Sequence, residues 1–263
     1  MKKLEKLTLG ADPELFLVNE ETNEIVSAIE KVPGTKQNPF KPSDLDSGFA
    51  MQTDNILVEF NIPPVDIQDK EGFINNLLKM RDYINIFVKR FDENYTVRAM
   101  ASGIVNSSEL NDPQARLFGC DPDFNCYTMK ENRRPRLRNP NFRSAGFHIH
   151  IGYDNHNLKT SVQLVKYLDL FLGVPSILFD TDTSRRSLYG KAGCFRLQPW
   201  GVEYRVLSSK MLDYSDMVYT QVLKAIEAYE ADVKLPEPNV VALTINNNDV
   251  ETAELLIKKF NIL

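Results

Sequence analysis

Two of the three histidines in this chain, His148 and His150, stand one residue apart in "GFHIHIG", residues 146–152. Small or polar residues alternate there with Phe147, Ile149 and Ile151, a period of two that reads as a half-buried strand with both imidazoles on one face. Three other stretches repeat the pattern. In "GADPELF", Asp12 and Glu14 share a face. In "DNILVEFN", Asn55 and Glu59 share one, with Asp54 at the strand's mouth. In "GVEYRVL", Glu203 and Arg205 share one while Val202, Tyr204 and Val206 point away. The solvent side of any antiparallel sheet gives such alternation, but these faces carry Asp, Glu, His and Arg and no lysine. If the strands are neighbours, Asp12, Glu14, Glu59 and Glu203 converge. Carboxylates that close raise one another's pKa unless cations are present. A divalent ion resolves the conflict, and carboxylate oxygens with one imidazole suit Mg²⁺ or Mn²⁺ better than zinc.

Cationic side chains supply the complement. Arg185, Arg186, Lys191, Arg196 and Arg205 crowd one stretch. Guanidinium forks beside metal-binding carboxylates are what a polyphosphate requires, although Arg185 and Lys191 read equally well as surface ion pairs. No GxxxxGK[ST] occurs, and "PGTKQNP" is not a phosphate-binding loop of that kind, so ATP would be held another way.

The elements that must position these groups are legible in outline. Strands are expected over 4–18, 24–29, 55–62, 95–105, 146–152, 193–197 and 201–208. Helices are expected over about 68–91, 158–173 (stopped near Pro175), 214–232 and 249–260. The first carries an apolar stripe of Phe73, Leu77, Met80, Ile84, Phe87 and Phe91, and the last a capping-box spacing from Asn248 to Glu251. Residues 31–49 read as a long ordered loop, and 106–143 as a Pro-, Asn- and Arg-rich connection long enough to be functional. Hairpin-like strands between long helices predict an α+β fold, a mainly antiparallel sheet covered by helices. One domain over 1–235 with a short helical extension over 236–263 is expected.

With 263 residues, 43% hydrophobic, and a net charge of -5, the chain has no default affinity for nucleic acid or anionic membrane. Three cysteines without a CxxC pair fit a reducing cytoplasm, that of the host cell if the chain is phage-encoded. No run approaching about 20 apolar residues is evident, so no membrane partner is expected.

The stretches "GADPELFL", "PGTKQNP", "QTDNILVEFNIPP", "FGCDPD", "FRSAGFHIHIG" and "WGVEYR" resemble, in this order, the carboxylate–amine ligases of the glutamine synthetase / glutamate–cysteine ligase superfamily, and the phage-type COOH–NH2 ligases most. They span about residues 9–208. The resemblance implies a glutamine-synthetase-like antiparallel sheet covered by helices on one face. Its concave open face would bind ATP with Mg²⁺ or Mn²⁺. It implies the joining of a small-molecule or peptide carboxylate to an amine through an acyl-phosphate. Carried over by motif, Asp12, Glu14, Glu59, His148 and Glu203 are the metal ligands. His150, Arg186, Arg196, Arg205 and Lys36 serve ATP, and Arg143, Asn55 and Cys120 the substrates. Glu59, Arg205, Asp54 and Arg186 carry catalysis, Asp54 as the candidate proton acceptor. Asp12 departs from the glutamate that glutamine synthetases have there.

Two other readings remain. His148, His150 and Asp154 could form a cupin-like metal enzyme. The basic segment 130–143, with Lys130, Arg133, Arg134, Arg136, Arg138 and Arg143, could make a nucleic-acid-binding phage structural or accessory protein. Beside the acidic whole-chain balance that segment reads better as a lid over an anionic substrate, so nucleic acid is not the expected partner. Oligomeric state is open.

Overall fold

The computed structural model describes residues 3–116, 123–132 and 138–263. The strands are β1 (Thr8–Asn19), β2 (Glu24–Val26), β3 (Ala50–Asp54), β4 (Leu57–Asn61), β5 (Val65–Asp66), β6 (Tyr95–Arg98), β7 (Ser102–Ile104), β8 (Phe124–Asn125), β9 (Lys130–Glu131), β10 (Phe142–Ser144), β11 (Phe147–Gly152), β12 (Cys194–Gln198) and β13 (Gly201–Tyr204). The helices are α1 (Lys70–Val88), α2 (Pro113–Arg116), α3 (Leu158–Leu168), α4 (Val174–Phe179), α5 (Thr183–Arg186), α6 (Ser215–Glu230), α7 (Pro238–Asn247) and α8 (Val250–Phe260).

The α+β expectation holds. Among the described residues, eleven strands join in one antiparallel sheet along the path β3-β4-β1-β11-β13-β12-β8-β9, with β2, β5 and β6 also pairing with β1. β7 and β10 form a separate pair. β1 is the hub, its first half zipped to β11 and its middle to β4. Its odd-numbered Leu9, Ala11, Leu15 and Leu17 enter one core with Phe60, Phe147, Ile149, Ile151, Val202 and Tyr204. Helix residues Phe73, Leu77, Val165, Leu168, Val222 and Ile226 complete that core. The opposite face keeps the polar side chains along the first half of β1, while Phe16 and Val18 further on enter a second core with Ile25, Ile56 and Leu57.

Several boundaries differ from the sequence expectation. The strand placed at 55–62 is the second half of a hairpin: Asp54 pairs with Leu57 across a two-residue turn in which Asn55 has φ 55°. Asn tolerates that left-handed conformation. Residues 50–54 are therefore strand, and Asn55 does not share the face of Glu59. The strand expected over 95–105 is two, β6 on the main sheet and β7 on β10. In α1, Val88 completes the buried stripe, while Phe87 is half-buried and Phe91 lies exposed beyond the helix end.

The helix begun at α3 does not stop near Pro175. A π turn over Asp169–Gly173 shifts the hydrogen-bond register, and Pro175 falls in the first turn of α4, where its missing N–H leaves nothing unsatisfied. Contrary to the expectation of no such run, Leu158–Phe179 is long and apolar enough by length and composition to cross a membrane, and most of its apolar stretch is buried inside the fold. α7 was not foreseen. Asn248 is its left-handed C-cap rather than the N-cap of α8, which is Asp249. Together α7 and α8 bury Val241, Ile245, Ala253 and Leu256 in the main core.

Candidate functional site

Strand register assembles the polar face. Glu14 lies opposite Glu59, which in turn faces Gln52; Asp12 lies opposite His148 and Gly10 opposite His150. On the far side His150 faces Glu203, and Glu203 faces Arg196. Side chains on one face and directly opposite are about 5 Å apart at Cβ. The five expected metal ligands thus occupy one patch across β4, β1, β11 and β13.

Asp12 is the pivot of that patch. Its Oδ1 lies 3.1 Å from His148 Nδ1 and 3.1 Å from His150 Nε2. Only the first is aligned as a hydrogen bond. Glu203 Oε1 is 3.7 Å from the same His148 nitrogen. One ligand atom from each of Asp12, His148 and Glu203 falls within 4.8 Å of the others, the spacing of a group able to share one cation. Glu14 adds a buried carboxylate whose Oε2 accepts the Gly146 N–H at 2.6 Å.

The electrostatics divide the acids into two kinds. Against burial, which would raise it, the His150 and His148 imidazoles hold Asp12 well below the usual carboxylate range. Against burial, the largest influence, Arg205 with His148 and Arg196 together lower Glu203. Besides Arg205, Glu203 accepts from Gln198 Nε2 at 2.6 Å and Arg196 Nη1 at 3.3 Å. Glu59 lacks such partners. Burial, then the charges of Asp12, Glu14 and Asp54, push it well above its ordinary value, with only Gln52 opposing. Burial and the neighbouring Glu14 raise Asp54 to about 6. Lys36, His148 and Arg205 only partly offset the rise at Asp54, and an oxygen-seeking divalent ion would supply the positive charge that Glu59 and Asp54 call for. The donor set therefore fits Mg²⁺ or Mn²⁺.

Two cavities open onto this floor and share Glu14, Lys36, Asp54, His148 and Arg205. The first, about 530 Å³, runs over Gly10, Asp12, Glu59, His150 and Glu203 to Ile62, Pro64 and Trp200. The His150 and Trp200 rings lie 5.1 Å apart there. The second, about 470 Å³, is walled by Asn55, Gln114, Asp123, Arg143, Arg185 and Tyr189. Lys36 reaches both from the tip of a tight turn closed by the Thr35–Asn38 bridge.

Not every expected site residue arrives. Arg186 does not reach either cavity's wall. It is buried, donating to Gly190 O at 3.1 Å and Ser176 Oγ at 3.0 Å. Its neighbour Arg185 lines the second cavity instead, because consecutive residues of α5 point about 100° apart. Arg143 borders that cavity but spends its donors on Asn55 Oδ1 and the carbonyls of Pro140, Phe142 and Ala115. Asn55 in turn donates to Gln114 O. Both are wall-builders. Cys120 lies outside the described residues, as do Arg133, Arg134 and Arg136. Asp154 is at the surface, paired with Lys6 at 2.7 Å, and does not join the histidines as a cupin-like triad requires.

Sequence patterns missed Trp200, Gln52, Gln198 and Asp123. Gln198 was within reach of the strand period, sharing a face with Arg196. Asp123 stood in a stretch already singled out; its Oδ2 lies 3.6 Å from Arg205 Nε.

The face is oxygen-rich, lies beside arginines, and holds one group, Asp12, His148 and Glu203, spaced to share a cation. Residues 140–235 match the model of the family described as phage phiEco32-like COOH.NH2 ligase-type 2. That match bears out the resemblance to phage-type carboxylate–amine ligases, and the family's name supports a ligase activity. The matched stretch contains β10 to β13, and so His148, His150, Arg196, Glu203 and Arg205. No curated protein matches the chain.

Proposed function

We propose that this protein is an ATP-dependent ligase that joins a carboxylate to an amine through an acyl-phosphate, on a glutamine-synthetase-like sheet whose concave open face is the site. One observation carries it: two cavities, each large enough for a substrate, meet over a floor of carboxylates and imidazole next to arginines. A ligase of this kind must bring a nucleotide and an acid together at their anionic ends.

Asp12, Glu14, Glu59, His148 and Glu203 would hold Mg²⁺ or Mn²⁺, which would neutralise phosphate oxygens. The nucleotide takes the 530 Å³ lobe, its base against Trp200 and His150. Gly10 leaves room there: a Cβ on it would meet nothing closer than 3.6 Å. Lys36, Arg196 and Arg205 face the phosphates. The acid occupies the 470 Å³ lobe with its carboxylate at the shared floor. A carboxylate oxygen attacks the γ-phosphorus and ADP leaves; the amine then attacks the acyl carbon and phosphate leaves. Asp54, raised to about 6 and so mostly ionised at neutral pH, stands where both lobes meet and accepts the proton the amine must lose.

Trp200 is the sole tryptophan, so its emission reports directly on the nucleotide lobe. Titration with ATP and Mg²⁺ is expected to shift that emission, and Gly10→Leu, which fills the lobe, to abolish the shift while the fold survives. Unchanged emission, with no heat of binding at millimolar ATP, contradicts the proposal.

A further inference from the structure

Asp169 is a fully buried carboxyl that no step of the proposed reaction uses. It opens the π turn between α3 and α4, a kind of helix widening that recurs at functional sites. Its Oδ1 accepts the Tyr204 hydroxyl at 2.8 Å. Burial lifts its pKa to about 7, against the Tyr204 and Tyr127 hydroxyls, the Gly193 N–H and the Arg186 charge, which all favour the ionised form. Burying a carboxyl costs free energy, and replacing a buried hydrogen-bonded pair by apolar groups of the same shape is often close to neutral for stability. What the pair gives that apolar packing does not is direction.

The groups that converge on Asp169 all border the site. Tyr204 is the last residue of the β13 ladder on both sides, opposite Ile149 of β11 and Phe195 of β12. Its ring enters the core, while Glu203 and Arg205 on either side of it line the cleft. Past the ladder's end the Arg205 N–H reaches the Cys194 carbonyl at 3.0 Å. Gly193 stands just before β12, and its carbonyl accepts the Cys126 N–H at 2.9 Å. Tyr127 follows β8, and Asp123 precedes it, with Oδ2 3.6 Å from Arg205 Nε. The packing at this point is close. A Cβ on Gly173, the last residue of the π turn, would come within 2.6 Å of the Tyr204 hydroxyl, and one on Gly193 within 2.8 Å of the Tyr127 ring.

We infer that Asp169 is a positioning residue: through Tyr204 it fixes the end of β13 from the core side, and with it the stance of Glu203 and Arg205 in the cleft. Arg205 donates to Glu203 Oε1 and lies 3.4 Å from His148 Nδ1. A shift at Tyr204 therefore alters the spacing within the group able to share a cation. That this group holds Mg²⁺ or Mn²⁺ rests on the ligase proposal; the clamp on β13 does not.

Nitrogen-15 NMR spectra of the metal-free full chain, with calorimetric titration by Mn²⁺, test this. Tyr204→Phe removes only the hydroxyl. It is expected to move the Arg205 Nε–H resonance and to weaken Mn²⁺ binding about tenfold. Asp169→Asn keeps the side chain's size and an acceptor oxygen, and is expected to hold Mn²⁺ within twofold of wild type. Val222→Ala truncates the core on α6 without removing the hydrogen bond. It is expected to lower stability yet keep the wild-type resonance and Mn²⁺ affinity, which separates positioning from general loosening. Should Tyr204→Phe fail to fold, Asp169→Leu removes the acceptor and carries the same expectation. An unmoved Arg205 resonance, wild-type Mn²⁺ affinity in Tyr204→Phe, or an equal loss in Val222→Ala overturns the inference. Failure of the wild type to bind Mn²⁺ removes the metal site of the ligase proposal instead, and the Arg205 resonance of the metal-free protein still decides the role of Asp169.

Discussion

At the residue scale, the site combines acids that are already balanced with acids that are not. Asp12 and Glu203 are held ionised by imidazoles and guanidiniums. Asp54 and Glu59 are held towards protonation by burial and by the other carboxylates. A group whose folded pKa is raised binds protons that the unfolded chain has released, so stability falls as pH rises between the two values. For Asp54 that window runs from 3.8 to about 6, and Glu59 acts in the same sense. His150, raised by Asp12 despite burial, likewise contributes stability that is lost as pH climbs past its ordinary 6.5. The metal-free protein is therefore expected to melt at lower temperature at pH 8 than at pH 5. The change is on the order of a few kcal/mol. Asp54→Asn should flatten the profile, and Mg²⁺ should raise the melting temperature more at pH 8 than at pH 5. Scanning calorimetry in buffered EDTA and in Mg²⁺ reads both; a rise with pH in EDTA contradicts the assignment.

At the element scale, the antiparallel register does the positioning. A one-residue slip of β1 would turn Asp12 and Glu14 into the core and Leu9 and Ala11 out of it, so packing and site enforce one pairing. This is why the ligand set was legible in the sequence: a period of two announces a face before any partner strand is known. The hairpin of β3 and β4 was not legible, because Asn55 is followed by Ile56 rather than by glycine and the turn is masked. The continuation through Pro175 was hidden too, since a π turn leaves no mark in apolar spacing. Asn248 and Asp249 are adjacent candidates for one cap, and only the presence of α7 separates their roles. Two expectations belong here. Asp249→Ala removes the bonds from the Thr252 N–H and Oγ1 and should lower stability by about 1 kcal/mol in urea titration, leaving nucleotide binding intact. Gly34→Ala forces a Cβ to 2.5 Å from Met51 O at φ 94°, which should displace the Lys36 turn and weaken ATP binding.

At the scale of the whole molecule, function depends on two lobes sharing one floor. The floor was readable from composition and spacing. The lobes were not: their walls come from Lys36, Asp123, Arg185 and Trp200, which lie in turns, at the sheet edge and in one short helix. Arg186 was expected for Arg185 because adjacent arginines in a four-residue helix carry no periodicity to separate them. The most direct measurement of the central claim replaces the unknown amine with hydroxylamine. Purified protein is incubated with ATP, Mn²⁺, hydroxylamine and a panel of carboxylic acids, and nucleotide and hydroxamate products are quantified. ADP, phosphate and a hydroxamate in equal amounts with at least one acid, abolished by Glu59→Gln, is the predicted result. Release of AMP and pyrophosphate, or undiminished turnover by Glu59→Gln, would contradict it.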